Sequence, residues 1–138
     1  MRFMLIRKAD RDTEAGVMPS PEFCAAMLEY NRKMTDAGVM LQGVGLQASS
    51  KGARVKFSGG TPTVIDGPFA ETKELIAGFT LIEVASRADA IAWVKRWPAI
   101  DAEAEIEIRQ VFEPDDFGAD AAPAMRDQEQ RLRDKERS

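Results

Sequence analysis

Hydrophobic residues along the chain fall into two rhythms, one with period two and one with steps of three and four. Residues 2–7 (Arg-Phe-Met-Leu-Ile-Arg) place four apolar side chains in succession, which predicts a strand covered on both faces. Ser20 followed by Pro21 gives an N-cap with proline in the first turn, and Gly38 supplies a left-handed stop, so a helix is predicted over about 21–37. Within it Phe23, Ala26, Met27, Tyr30, Met34 and Ala37 make one stripe, with Glu29 and Lys33 as an outward pair. Strand-like runs follow at Val39–Gln42, continuing through Gly43–Ala48, and at Arg54–Phe57 and Thr63–Ile65, the last two joined by a Ser58-Gly59-Gly60 turn. Ala77–Val84 reads as another strand. Ser86 with Asp89 opens a second helix whose stripe is Ala90, Trp93, Val94 and Trp97 before Pro98 ends it. Over Glu103–Phe112 the residues Ala104, Ile106, Ile108 and Phe112 alternate with Glu103, Glu105, Glu107 and Arg109, predicting a closing strand.

The order is therefore β, α, β with an inserted hairpin, then β, α, β: an α+β, ferredoxin-like plan with two helices on one face of an antiparallel sheet. Phe3, Met4, Leu5 and Ile6 cannot all meet the helices. The opposite sheet face needs a cover, and a second copy of the chain, giving a dimeric α+β barrel, is the economical one. Glu107 and Arg109 would then line a cavity edge or pair across the interface.

Composition narrows the chemistry. A chain of 138 residues that is 44% hydrophobic suits one core. No apolar run reaches the ~18 residues of a membrane span, and no export-signal pattern opens the chain, so a cytoplasmic protein without membrane partners is expected. There is one cysteine and no histidine, which removes an internal disulfide, the commonest metal ligand and the commonest neutral-pH base. Residues 1–112 carry 14 basic and 15 acidic side chains, whereas residues 113–138 carry 5 and 8. The balanced body argues against nucleic-acid binding. The charged tail from 113 reads as a partly helical solvated segment, with a docking arm on a partner subunit as the alternative; Asp127/Arg131 and Glu129/Arg133 are its i,i+4 pairs.

Several candidate sites weigh less than their plain structural readings. Gly43-Val44-Gly45-Leu46-Gln47-Ala48 resembles a dinucleotide fingerprint, but Ser49-Ser50-Lys51-Gly52 follows where a helix is needed, so no nucleotide cofactor is expected. Cys24 is expected to be a small core residue, and Trp93 and Trp97 to be core packing. The densest polar group is Asp66-Gly67-Pro68-Phe69-Ala70-Glu71-Thr72-Lys73-Glu74. One reading is a turn in which Asp66 caps nearby N–H groups and Phe69 anchors the loop. The other aims Asp66 into a cleft as a general base, with Lys73 holding it ionised. Asp66, Glu71 and Glu74 offer oxygens to a hard cation, but the spacing matches no calcium loop, and no metal is expected.

Val64-Ile65-Asp66-Gly67-Pro68-Phe69-Ala70-Glu71-Thr72-Lys73-Glu74, then Ile76-Ala77-Gly78-Phe79 and Glu105-Ile106-Glu107-Ile108-Arg109, resemble the YCII-related family, within it the branch named for the Asp-Gly-Pro-Phe motif. The likeness spans about residues 1–112, leaving 113–138 as the tail. It implies a ferredoxin-like fold assembled as a homodimeric α+β barrel. Some relatives act on small ring compounds, and a His and Asp pair has been proposed as the wider family's active site. This chain lacks the histidine, so Asp66 alone carries over as the catalytic candidate. Glu71, Thr72, Lys73 and Arg109 are the candidate ligand-binding residues, Arg109 as an anion clamp. The expectation is a small-molecule-binding homodimer, with lyase- or isomerase-like acid–base chemistry as its activity. Because members of the branch occur beside or fused to extracytoplasmic-type sigma factors, a non-catalytic sensor or accessory module is the alternative.

Overall fold

The computed structural model describes residues 1–137. Four strands form an antiparallel sheet: β1 (Arg2–Lys8), β2 (Met40–Gly45), β5 (Ile76–Glu83) and β6 (Ile106–Gln110), in the order β2-β5-β1-β6. With helices α2 (Pro21–Asp36) and α3 (Arg87–Val94) between them, this is the ferredoxin-like plan, and the fold is α+β as the pattern predicts. The inserted hairpin is β3 (Ala53–Ser58) with β4 (Thr61–Asp66), a separate two-stranded sheet. Gly59 and Gly60, both at positive φ, make its turn.

Helix boundaries follow their caps. The Ser20 hydroxyl accepts from Phe23 N–H and Gly38 adopts φ +72° beyond the end of α2, while the Ser86 hydroxyl accepts from Asp89 N–H at α3. The stretch expected to be a polar loop after β1 contains a one-turn helix, α1 (Arg11–Glu14). It is held by a reciprocal box in which Asp10 accepts from Thr13 N–H and the Thr13 hydroxyl accepts from Asp10 N–H. The Thr13 N–H donated to it, followed by the Arg7 guanidinium, holds the Asp10 carboxyl below the usual carboxylate range. Strand β6 is shorter than the alternation suggests: residues 101–103 form a bend and turn, and the ladder to β1 runs only from Ile106 to Gln110.

One face of β1 carries Phe3 and Leu5, which pack with Tyr30, Met34, Ile82 and Ala90 as the core. Burying these side chains between sheet and helices is the main stabilising term, on the order of 2 kcal/mol for each large residue. The Tyr30 hydroxyl donates to the Trp93 carbonyl at 2.6 Å, and its ring meets Trp97 edge-on. Cys24 is exposed, one residue off the buried stripe of α2, which corrects its expected core placement. Glu29 pairs with Arg32 rather than Lys33. At the edge of the core Arg7 forms a two-pronged, largely buried salt bridge to Asp101, whose Oδ2 also accepts from the Trp97 indole N–H at 3.0 Å. The tail begins with a 3-10 turn (Pro114–Phe117) and continues as helix α4 (Ala122–Arg137). Arg2 pins it to the sheet by donating to Glu113 and Glu129.

Candidate functional site

Register places the remaining apolar residues of the sheet on the face away from α2 and α3. Met4 lies opposite Leu81 and Arg109, Ile6 opposite Phe79 and Glu107, and Val44 opposite Phe79, so all seven share that outer face. Met4, Ile6, Phe79 and Leu81 are half-buried, whereas Val44 is 42% exposed. The floor is apolar and its rim is charged. Arg109 stands 71% exposed, with Glu107 at 3.4 Å as its salt-bridge partner.

The loop after β4 is held by contacts across distant parts of the chain. Gly67 N–H donates to the Gly52 carbonyl at 3.0 Å. A Cβ on Gly67 would lie 1.7 Å from the Ser49 carbonyl oxygen, so this close approach admits only glycine. Phe69 N–H donates to the Ser49 hydroxyl at 3.0 Å, and that hydroxyl donates to the Glu14 carboxylate at 2.6 Å. Glu14 also accepts from Ser49 N–H. The Arg54 guanidinium covers the Phe69 ring, 3.8 Å from its centroid. Ser49 therefore performs the capping expected of Asp66, and Glu14 orients Ser49.

This leaves the Asp66 carboxylate exposed at the end of β4, without a hydrogen-bond or ion-pair partner among the described residues. Glu71, Lys73 and Glu74 are exposed around the 3-10 turn Thr72–Glu74, and Thr72 is half-buried. Lys73 forms no ion pair with Asp66, so the expected electrostatic partnership is absent in a single chain. Among the described residues no three His, Cys, Asp or Glu side chains converge as a metal-binding group would require. Arg109 is also remote from the loop. It aligns through Met4 with Leu81, whereas the loop is tied through Ser49 to the chain just past β2, where Leu46 N–H donates to the Ala77 carbonyl, four positions or about 13 Å further along β5.

Two clefts lie outside this region. One of about 300 Å³ is lined by Val39, Glu83, Asp89, Trp93 and Arg96, and one of about 420 Å³ by Val94, Trp97, Asp101, Ala104 and Ile106. Neither is lined by Asp66, Glu71, Thr72, Lys73 or Arg109. Glu14 and Ser49 were not foreseen as parts of the loop; the clue available was the departure of Ser49-Ser50 from the helix that a nucleotide fingerprint requires.

A solved structure similar to this chain is a 5-chloro-2-hydroxyhydroquinone dehydrochlorinase from Burkholderia phenoliruptrix AC1100, in complex with 2,5-dihydroxybenzoquinone. It shares 16% identity at a TM-score of 0.45, over 82% of this chain and 95% of that one. An uncharacterized protein of Rhizobium meliloti (strain 1021) is 39% identical over 64 residues. That match takes in 46% of this chain and 52% of the relative, so the chain spans about half the length of the curated relative it matches. The model of the YCII-related domain matches residues 1–115, which contain the four-stranded sheet, the hairpin and the Asp66 loop, and the chain belongs to the YCII-related family.

Proposed function

We propose that the protein is a homodimer that binds a small, planar, partly apolar molecule on the outer sheet face, with Asp66 as its general base or ligand anchor. The observation that carries this reading is an unpartnered carboxylate on a loop made rigid by distant contacts. A side chain with no structural duty, held on a braced backbone, is what a preorganised ligand contact needs. Met4, Ile6, Phe79 and Leu81 supply a floor suited to a ring, and a hydroxyl on that ring would donate to Asp66. Glu71, Thr72 and Lys73 would surround the polar edge beside Asp66, with Arg109 of the second copy closing it. A second sheet over the first would exclude water and strengthen each of these contacts. The acid–base chemistry would be proton abstraction from a ring hydroxyl or an adjacent carbon by Asp66. The regulatory-module reading rests on resemblance alone, and no arrangement of residues described above favours it.

The test is a thermal-shift and calorimetric screen with catechol, hydroquinone and benzoate, run on the wild type and on Asp66→Asn. The expected result is saturable binding of at least one hydroxylated ring, weakened tenfold or more by Asp66→Asn, with the unliganded melting temperature held within about 2 °C because Asp66 is exposed and unbonded. Equal binding by the variant, or a large loss of melting temperature without a change in binding, overturns the role of Asp66.

A further inference from the structure

We infer that the β3–β4 hairpin of one copy lies on the outer sheet face of a second copy, so that each site is built from Asp66 of one chain and Arg109 of the other. This rests on the dimer reading above and extends it. In the hairpin register Ala53 faces Asp66, Val55 faces Val64 and Phe57 faces Pro62, so one face holds five apolar residues and a single charge. All twelve strand residues are exposed, with Val55 at 54%, Val64 at 63% and Phe57 at 68%. A free two-stranded hairpin with such a face is marginal in water and needs a surface to lie on.

Two properties identify that surface as the outer sheet face of the same protein. The first is charge. The hairpin face carries one carboxylate without a partner, and the outer sheet face presents an apolar floor beside an exposed cation, Arg109, whose own chain offers it one long contact to Glu107. Within one chain Arg109 and the Asp66 loop are separated along the sheet; in a two-fold assembly each meets its complement on the other copy. The second property is area. Four strands of this length give a sheet footprint on the order of 400 Å², about half of the ~800 Å² that each partner of a stable complex covers, and the hairpin adds on the order of 200 Å². Sheet and hairpin together supply about three quarters of that area, and the sheet alone about half.

The experiment is sedimentation velocity over a concentration series on the full chain, with circular dichroism to verify folding. Wild type is expected to be a dimer. The double variant V55D/V64D, altered only at exposed positions, is expected to be a folded monomer or to dissociate at least 100-fold more readily. D66K and R109E should each weaken the dimer tenfold or more, and the combined D66K/R109E chain should regain wild-type association within about threefold. A folded V55D/V64D dimer of unchanged affinity overturns the inference, as does a D66K/R109E chain no tighter than its single variants. V44D separates the two readings, since Val44 is on the outer sheet face but not on the hairpin. If V44D dissociates the dimer and V55D/V64D does not, the dimer stands and the hairpin contact falls. A monomeric wild type ends both.

Discussion

Replacing Gly67 with alanine tests whether the Asp66 loop is braced as described. The new Cβ would sit 1.7 Å from the Ser49 carbonyl oxygen and 2.6 Å from its carbon, nearly 2 Å short of the ordinary contact of about 3.5 Å. Both obstructing atoms are backbone, so no side chain can swing away. The turn at Ser49–Lys51 must separate from the loop, and the Phe69 N–H bond to Ser49, 3.0 Å long, is then lost. The Ser49 contacts to Glu14 at 2.6 and 3.1 Å are strained with it. One neutral hydrogen bond at about 1 kcal/mol and one charge-assisted bond at about 2 kcal/mol give a loss near 3 kcal/mol. For a chain of this size that corresponds to a fall of about 10 °C in melting temperature. Thermal unfolding read by circular dichroism measures the total, and hydrogen exchange at the Phe69 amide reports the local event. Gly52→Ala is the control, because its Cβ would meet the same carbonyl oxygen at an ordinary 3.5 Å and should change stability by less than about 1 kcal/mol. A Gly67→Ala protein that melts within 2 °C of wild type, with the Phe69 amide still protected, would refute the close approach and the bracing derived from it.

Three further outcomes follow from other parts of the structure. Asp101→Ala leaves Arg7 largely buried with only Asp10 as a carboxylate partner and removes the acceptor of the Trp97 indole, so urea unfolding should show a loss of about 3 kcal/mol; a loss below 1 kcal/mol would contradict the placement of that pair. Tyr30 is the only tyrosine, and burial raises its pKa to about 12, so ultraviolet titration of the native protein should show phenol ionisation near pH 12 and of the urea-unfolded protein near pH 10. Its folded-state pKa lies above the unfolded one, hence its contribution to stability is complete below pH 10 and is lost as pH rises towards 12; a native midpoint near 10 would place Tyr30 outside the core. Glu129→Gln weakens the Arg2 clamp, and limited trypsin digestion should then release α4 several-fold faster with the melting temperature of the sheet domain unchanged; an unaltered cleavage rate would mean that α4 is held by other contacts.

Local order in this chain was legible because it has a local cause. The unbroken apolar run of β1, the alternation of β6, the stripe of Phe23, Met27, Tyr30 and Met34, the Ser20-Pro21 and Ser86 caps and the Gly59-Gly60 turn each act within a few residues, and from them the element order and the ferredoxin-like plan follow. The excess of apolar residues on β1 likewise announced a second sheet face in need of a cover. Where the reading departed from the structure, the deciding contact came from far along the chain or from the exact angular position on a helix. Cys24 was expected inside on the basis of residue type, yet it lies one residue off the stripe.

What only the tertiary structure decided is how the Asp66 loop is held and what it is free to do. Asp66 was a candidate on residue type and setting alone, with capping the favoured reading and chemistry the alternative. Folding brings Ser49, from 20 residues away, onto Phe69, and Glu14, from 35 residues further along that link, onto Ser49, which relieves Asp66 of the capping duty. The same folding sets Arg109 on the sheet, far from the loop it was expected to serve. Periodicity reports which face of an element is buried, whereas hydrogen bonds between elements depend on where the chain returns to itself, and that position arises only when the layers pack.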